Sequence, residues 1–378
     1  MTGHPSPRYR NIFLELGYDP AEIETRTRDI FDTLFYGGEE QRLYHPVGSD
    51  MACFEDTGNQ DVRTEGMSYA MMMCVQMDRK AEFDRLWKWA KTYMYLDSGP
   101  NAGYFAWSCG LDGNKNAYGA APDGEEYFAM ALFFAAHRWG DGEGIFHYTG
   151  EARRLLHTCV HKGENGGPGR AMWDRSSHLI RFVADADFSD PSYHLPHFYE
   201  LFALWADELD RPFWKKAAQA SREYWVKACH PVTGLCAEYA DLEGRPQITD
   251  PKRYGGRHDW YYSDAYRTIF NIALDAVWFG CSPWARAEAN RLQHFFCNTE
   301  NDRAVYEVDG SVLPISALHP VAITATNAAA SLIASGPYAA DCVRRFWETP
   351  LRTGPRRYYD NCLYFFAFLA LGGNYRIY

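Results

Sequence analysis

Three carboxyl side chains stand at the beginning of long apolar segments, where they could carry acid–base chemistry. Glu65 lies in DVRTEGMSYAMMMCVQM, Asp123 in APDGEEYFAMALFF and Asp264 in WYYSDAYRTIF. Burial raises the pKa of a carboxyl group, as a general acid that works at neutral pH requires. One protonated and one ionised carboxyl on either side of a bond can hydrolyse a glycoside, with inversion when they are ~6.5–9.5 Å apart. The three residues therefore indicate hydrolysis by paired acids.

Each of these acids also has a structural interpretation that the sequence leaves open. A Glu in a first helical turn, such as Glu65, is common, and the helix N-terminus stabilises its anion against the effect of burial. Asp123, with Glu126 three residues on, resembles a capping box. Asp264 and Arg267 could form a plain ion pair on one helical face, or the Arg could hold an ionised base in place.

The elements that position these acids follow from hydrophobic periodicity. Six segments are apolar nearly all the way round a helix, which is typical of buried helices, and amphipathic segments typical of an outer layer lie between them. The six apolar segments begin near Glu65, Asp123, His194, Asp264, His319 and Tyr359. With a first helix over residues 19–35 as the partner of the last, this alternation predicts six pairs. The predicted fold class is all-α, a barrel of six inner and six outer helices whose polar ends share one mouth.

Composition and charge narrow the possible functions. The 378 residues carry a net charge of −11, which argues against a nucleic-acid partner because phosphate binding needs clustered Lys and Arg. No linker divides the chain, so a single domain over residues 1–378 is expected. Long loops over 38–64, 95–122, 163–193 and 231–263 are predicted to form the substrate cleft. Aromatic residues make up 16% of the chain; most must pack in the core, and a minority could stack on sugar rings.

Signals for targeting and for metal binding are weak. The N-terminus has no basic start followed by an apolar run, and no segment approaches the ~20 apolar residues of a membrane span. The ten cysteines are scattered without a CxxC pair, which favours reduced thiols and a cytoplasmic location. His194 and His197 come closest to a metal-ligand pair, but Pro196 between them disfavours regular helical spacing, so no metal site is expected. Neither proton transfer nor water attack requires a cofactor.

At the three acids the chain resembles glycoside hydrolase family 8. RTEGMSYAMM (63–72) is similar to the segment that carries the proton donor of that family, and APDGEEYFAMALFFAAHRW (121–139) is similar to its signature segment. YYSDAYR (261–267) resembles the segment that carries the catalytic base and a nearby Arg. The chain departs from the family pattern at Pro122, where Ser or Thr is usual, and at Glu125, where Asp is usual. The family fold is an (α/α)6 barrel, in agreement with the helix count.

The resemblance is greatest to one subgroup, the reducing-end xylose-releasing exo-oligoxylanases. Similar segments span roughly residues 56 to 370 and include FSDPSYHLPHFYELF, LHPVAITATNA and RRYYDNCLY. The resemblance implies hydrolysis of β-1,4-xylooligosaccharides with release of xylose from the reducing end. It implies Glu65 as general acid and Asp264 as general base of an inverting mechanism. Asp123 would bind the sugar at the cleavage point and help to position the attacking water.

The resemblance also implies substrate-binding residues around the acids. Trp107 and Tyr199 would contact sugar rings, with ordinary core packing as the alternative for both. Arg63 and Arg267 would hydrogen-bond sugar or carboxylate oxygens. His319, in an LHP sequence, would close the cleft beyond one leaving sugar and bond its anomeric hydroxyl, with a helix-cap role as the alternative.

Other functions remain open on the sequence alone. An endo-acting family member would cut xylan, cellulose or chitosan internally, and a sugar epimerase or phosphorylase could use a similar helical barrel. A non-hydrolytic carbohydrate-binding scaffold would explain the aromatic residues, but it gives no reason for acids at several helix starts. The product pattern distinguishes an exo-acting from an endo-acting enzyme.

Overall fold

The computed structural model describes residues 9–378, and helices dominate this part of the chain. The α-helices are α1 Ile12–Glu15, α2 Pro20–Tyr36, α3 Thr64–Gln76, α4 Lys80–Trp89, α5 Pro122–Trp139, α6 Tyr148–His161, α7 Pro196–Trp205, α8 Arg211–Ala228, α9 Pro251–Tyr254, α10 Tyr266–Phe279, α11 Pro283–Asn298, α12 Pro320–Ala329, α13 Ala339–Glu348 and α14 Arg357–Leu371. The strands are β1 Tyr44–Val47, β2 Met51–Asp56, β3 Asp61–Arg63, β4 Ser108–Cys109, β5 Phe188–Ser189, β6 Ala240–Asp241, β7 Ala304–Tyr306 and β8 Val312–Ser316.

Six of these helices form a closed inner ring. Helices α3, α5, α7, α10, α12 and α14 pack side by side in chain order, and α14 returns to α3. Each inner helix also packs against one outer helix: α3 against α4, α5 against α6, α7 against α8, α10 against α11, α12 against α13, and α14 against α2. This arrangement confirms the predicted barrel of six inner and six outer helices, including the pairing of the first long helix with the last.

Most residues of the inner helices are buried because their sequences lack a continuous polar stripe. Every residue of α14, RYYDNCLYFFAFLAL, is buried. The ring of Phe366 in α14 lies 5.1 Å from that of Tyr69 in α3, 6.0 Å from that of Tyr127 in α5 and 6.4 Å from that of Phe270 in α10. Outer helices bury one face only, and in α8 the buried positions are Trp214, Ala217, Ala218, Ser221, Tyr224, Trp225 and Ala228. The period of hydrophobicity thus separates the two layers.

Short strands bring the long loops together at one end of the barrel. Strands β1 to β4 form an antiparallel sheet in chain order, and β3 leads directly into α3. Arg63 of β3 pairs with Ser108 of β4, and the N–H of Thr64 donates to the Trp107 carbonyl at 3.0 Å. On another side of the same end, β5 pairs with β6. The loops before α3, α5, α7 and α10 are therefore joined in two small sheets beside the inner-helix starts.

The structure bears on two expectations from the sequence, one about membrane-spanning segments and one about the state of the cysteines. No helix within residues 9–378 has the combination of length and apolarity that crossing a membrane requires. All ten cysteines lie in the described part of the chain, and none of them forms a disulfide. The expectation about the N-terminal segment rests partly on residues 1–8, which lie outside the described residues.

Candidate active site

A cavity of about 680 Å³ opens where the inner helices begin. Glu65 is the second residue of α3, Asp123 is the second residue of α5, and Asp264 lies in the 3-10 turn Ser263–Ala265 just before α10. All three acids line this cavity. The structure therefore brings together the three carboxyl groups that the sequence singled out, although 199 positions separate the first from the last.

One buried guanidinium contacts all three acids. Arg267 Nη1 donates to Glu65 Oε2 and to Asp123 Oδ2, both at 3.0 Å, and to the hydroxyl of Tyr69 at 2.8 Å. Arg267 Nη2 lies 3.2 Å from Asp264 Oδ1. Glu65 and Asp264 thus face different nitrogens of the same fork. Arg267 is thus the shared cationic partner of the three carboxyl groups.

Glu65 is held in its protonated form by its surroundings. Burial is the largest cause that raises its pKa, and the nearby acids Asp123 and Asp264 raise it further. Arg267 and the Tyr358 hydroxyl, which donates to Glu65 Oε1 at 2.8 Å, lower the pKa in part. The net effect raises the pKa of Glu65 to about 8, so the group can deliver a proton at neutral pH.

The other two acids differ from Glu65 and from each other. Asp123 is buried, and burial is the main cause that raises its pKa, against the lowering effect of Arg267. Its Oδ1 accepts the N–H of Gly124 at 2.9 Å, which fixes the carboxyl at the start of α5. The side chain of Asp264 is 24% exposed, against 14% for Glu65 and 8% for Asp123. Of the three acids, Asp264 has the most access to water.

Aromatic rings flank the central guanidinium. The guanidinium carbon of Arg267 lies 5.3 Å from the ring of Tyr193 and 5.8 Å from the ring of Tyr359, within the range of cation–π attraction. Both tyrosines line the cavity, and the Tyr359 hydroxyl donates to the carbonyl of Ser263 at 3.1 Å. The sequence alone did not assign these two tyrosines to the site, because the chain contains 26 Tyr without a local signal to distinguish them.

The turn that carries Asp264 has a strained residue and a buried acid beneath it. Ser263 has φ +32°, which a residue other than Gly rarely adopts. Glu238 accepts the backbone N–H of Asp264 at 3.5 Å, and its other carboxyl oxygen bonds Nδ1 of His258. Burial is the main cause that raises the pKa of Glu238 to about 7. Sequence analysis missed Glu238, because it lies in a long loop and meets Asp264 only through the fold.

Two of the predicted substrate-binding residues lie together on the cavity wall. Arg63 and Trp107 both line the cavity, and the Arg63 guanidinium carbon lies 5.2 Å from the Trp107 ring. Arg63 Nε is 3.1 Å from carboxylate oxygens of Asp56 and Asp61, which hold it in place. Trp107 is 36% exposed. An aromatic face open to the cavity is suited to stacking on a sugar ring, so the structure favours this role over core packing for Trp107.

His319 lines the cavity at the start of α12. His319 occupies the N-cap position of α12, as the alternative from the sequence had it, but its side chain makes no cap hydrogen bond there. Instead, Nδ1 bonds Asp360 Oδ2 at 3.1 Å, and Asp360 Oδ1 accepts the N–H of Ala322 at 2.7 Å. Arg352 bonds both Asp360 and the Leu318 carbonyl. Asp360 therefore fixes the His319 ring and leaves Nε2 as the nitrogen for a ligand in the cavity.

Tyr199 is the one predicted sugar-contacting residue that the structure keeps away from the cavity. It is fully buried in α7 and packs against Trp173 and Trp214. Its hydroxyl donates to Glu126 Oε2 at 2.9 Å. The contact role predicted for Tyr199 is therefore replaced by core packing. Since Glu126 points to Tyr199, and Asp123 bonds Arg267, these two acids do not form the capping box that their spacing allowed.

Comparisons with known proteins agree with this geometry. The family model for glycosyl hydrolases family 8 matches residues 49–373. The chain is 58% identical to a reducing end xylose-releasing exo-oligoxylanase of Halalkalibacterium halodurans, over 98% of this chain and 94% of that protein. It is 55% identical to the exo-oligoxylanase Rex8A of Paenibacillus barcinonensis, over 98% of this chain and 97% of that protein. The E70A mutant of Rex8A, complexed with an arabinofuranosyl-xylotetraose, superposes with a TM-score of 0.96 at 53% identity over 99% of this chain and 98% of that one.

The environment of Glu65 predicts a specific titration. Because its pKa is raised to about 8, the carboxyl should be protonated at about pH 6 and ionised at about pH 10. The infrared difference between the wild type and Glu65→Gln should therefore contain a protonated-carboxyl band at about pH 6 that fades as the pH rises through about 8. Buried Glu125 and Glu126, whose pKa values are also raised, are present in both proteins and cancel.

The exposed acid Glu24 provides the control for this titration, since Glu24→Gln should produce no such band. The absence of the band at about pH 6, or its disappearance near the ordinary pKa of about 4.3, would show that burial does not protonate Glu65.

Proposed function

The chain belongs to glycosyl hydrolase family 8, and we propose that it releases xylose from the reducing end of β-1,4-xylooligosaccharides as an exo-acting, inverting hydrolase. Three relatives with 48–58% identity over nearly the whole chain are reducing-end xylose-releasing exo-oligoxylanases. One observation carries the chemistry: Glu65 and Asp264 contact different nitrogens of the same guanidinium in environments of different burial. One of them is suited to give a proton and the other to accept one.

The proposed mechanism has two proton transfers. Protonated Glu65 gives its proton to the glycosidic oxygen as the bond to the leaving xylose breaks. Asp264, which has the greater access to solvent, takes a proton from the water that attacks the anomeric carbon from the opposite face. The β-linkage becomes an α-configured new reducing end on the shortened chain. Return of the proton from Asp264 to solvent and reprotonation of Glu65 restore the enzyme.

The remaining cavity residues supply binding at the cleavage point and along the chain. Asp123, fixed by Arg267 and by the N–H of Gly124, is positioned to bond the sugar whose anomeric carbon reacts. Arg267 holds the three carboxyl groups together, and so its role is to position the reacting groups. Trp107 and Arg63 form one wall, where the indole face can stack on a xylose ring and the guanidinium can bond hydroxyl groups.

The exo-action is assigned to the segment before α12. Leu318 and His319 line the cavity, and Arg352 bonds both the Leu318 carbonyl and the carboxylate that holds His319. A wall braced in this way is suited to end the cleft after one leaving sugar. His319 Nε2 would bond the anomeric hydroxyl of that sugar. An endo-acting enzyme needs this side open for a long chain, so the bracing favours the exo-acting assignment.

We assign the enzyme to the cytoplasm on the basis of its thiols. Its ten cysteines are all free, including Cys297 and Cys342, whose sulfurs are 3.7 Å apart. An oxidising compartment would favour a disulfide between thiols this close. Short oligosaccharides would then be imported before they are trimmed.

The proposed function is tested with xylotriose labelled at its reducing end. The label should appear in free xylose, with unlabelled xylobiose as the other product. Proton NMR during the first turnovers should show the new reducing end of xylobiose as the α-anomer, because inversion of a β-linkage gives that configuration. Labelled xylobiose would instead indicate a different end specificity. A mixture of chain lengths from longer substrates would indicate an endo-acting enzyme, and a requirement for phosphate would indicate a phosphorylase.

The acid and base assignments predict different responses to substitution. Glu65→Gln and Asp264→Asn should each lower kcat on xylotriose by about 10² to 10⁴, because each removes one proton transfer. On β-xylobiosyl fluoride, whose leaving group needs no protonation, Glu65→Gln should keep much of its activity while Asp264→Asn stays inactive. Asp341→Asn on the exposed face of α13 is the control and should match the wild type. Equal activity of Glu65→Gln and the wild type on xylotriose would remove the acid assignment.

The role of His319 predicts a change in product pattern more than in rate. His319→Ala removes one hydrogen bond to the leaving sugar, which is worth about 1 kcal/mol. We expect about a fivefold loss of preference for release of a single xylose from xylotetraose and xylopentaose, seen by chromatography as xylobiose among the early products. Conversion of labelled xylotriose should continue, because Glu65, Asp264 and Arg267 are unchanged. A product pattern identical to the wild type would show that His319 does not close the cleft.

A further inference from the structure

A cluster of two histidines and one buried aspartate lies on the outer layer, away from the residues that line the catalytic cavity. His157 and His161 are four residues apart on α6 and therefore share one face of that helix. Asp210 directly precedes α8. One nitrogen of each His and one oxygen of the Asp all lie within 4.8 Å of one another. We propose that these three side chains bind a divalent transition-metal ion, for which Zn²⁺ is the best match.

The carboxylate of Asp210 is aimed at the two imidazoles. Its side chain is only 6% exposed, although it stands at the start of a surface helix. Oδ1 lies 2.6 Å from His161 Nε2, and Oδ2 lies 3.4 Å from His157 Nδ1. Asp210 makes no side-chain cap bond to α8, and in the described residues it forms ion pairs with these histidines alone. A buried carboxylate requires compensating positive charge, which a bound metal ion or a protonated imidazole supplies.

A second carboxylate orients His161 in the manner of a metal ligand. Glu164 Oε1 lies 2.8 Å from Nδ1 of His161, and Arg175 in turn contacts Glu164. When Nδ1–H donates to Glu164, the lone pair of Nε2 faces Asp210 Oδ1. A lone pair and a carboxylate oxygen 2.6 Å apart require a cation between them, which is either a proton or a metal ion. Metal-bound histidines usually donate their other N–H to a carboxylate in this way.

The donor set and the available space favour zinc. Two imidazoles and one carboxylate suit Zn²⁺ rather than Ca²⁺ or Mg²⁺, which prefer oxygen ligands. Tetrahedral zinc with bonds of about 2.0–2.1 Å holds its ligand atoms roughly 3.3 Å apart. His157 Nδ1 already lies 3.4 Å from Asp210 Oδ2, whereas His161 Nε2 and Asp210 Oδ1, 2.6 Å apart, must separate by roughly 0.7 Å to admit the ion. The fourth position would hold water on the solvent side.

Occupation of this site would join two outer helices of neighbouring pairs. His157 and His161 belong to α6, the outer partner of α5, and Asp210 is attached to α8, the outer partner of α7. The predicted effect is on stability, since the cluster lies apart from the cavity. The sequence analysis expected no metal site because it considered only His194 and His197, whereas this cluster depends on an acid 49 residues away from His161.

Calorimetric titration of untagged, EDTA-treated protein with ZnCl₂ tests the proposal. We expect one zinc to bind with a Kd of about 10 µM or tighter, and the melting temperature to rise by about 2 °C or more at saturation. His157→Ala and Asp210→Asn should each weaken binding by at least about tenfold. His294→Ala, on the exposed face of α11, is the matched control and should bind like the wild type. Xylotriose hydrolysis should be the same in His157→Ala and in the wild type.

Titration with Co²⁺ distinguishes metal binding at this cluster from metal binding by cysteine thiolates. Cobalt bound by nitrogen and oxygen should give visible absorption without the near-ultraviolet charge-transfer band of a thiolate ligand. Absence of binding at about 1 mM zinc would overturn the proposal. Binding of equal strength to the wild type and to both His157→Ala and Asp210→Asn would also overturn it, as would a thiolate band that disappears in a cysteine variant.

Discussion

The buried guanidinium of Arg267 is the constraint on which the catalytic end of this barrel depends. Removing an ion from water costs several kcal/mol, and three carboxyl groups in one cavity would also repel one another. Arg267 is only 3% exposed, yet it contacts Glu65, Asp123 and Asp264, and two tyrosine rings flank its plane. A lysine has a single nitrogen, so it could not place one donor atom at Glu65 and Asp123 and a second at Asp264, as Nη1 and Nη2 of Arg267 do. The acids can therefore share one cavity because this cation is fixed between them.

The barrel supplies what the guanidinium alone cannot, namely a different environment for each acid. Glu65 lies in the first turn of a regular helix whose remaining residues are buried, and its pKa is raised accordingly. Asp264 precedes its helix in a 3-10 turn with a strained Ser263, and its side chain is more exposed. Two carboxyl groups bonded to the same cation are thus distinguished by the kind of backbone that carries them. This difference is what an acid and a base of opposite protonation require.

The sequence predicts the layers of this fold well because burial leaves a periodic signal. The lack of a polar stripe in RYYDNCLYFFAFLAL identifies α14 as an inner helix, and the acids at helix starts predict a common mouth. Hydrophobic periodicity does not predict which single side chains reach the cavity. Tyr199 and Trp107 are both aromatic residues in apolar surroundings, but Tyr199 is buried within α7, whereas Trp107 lies in a loop directly before β4 and is partly exposed. Periodicity describes the faces of a helix, and it carries no information about which loop residue meets the cavity.

The groups that the sequence missed share a further property, since they act through contacts between distant parts of the chain. Glu238 reaches the backbone of Asp264, and Tyr358 reaches the carboxyl of Glu65 from 293 positions away. Neither contact leaves a local pattern. Yet Tyr358 donates to Glu65 Oε1 while Arg267 donates to Oε2, so both oxygens of the acid are fixed. These two bonds fix the plane of the Glu65 carboxyl group, and one of them depends on the packing of α14 against α3.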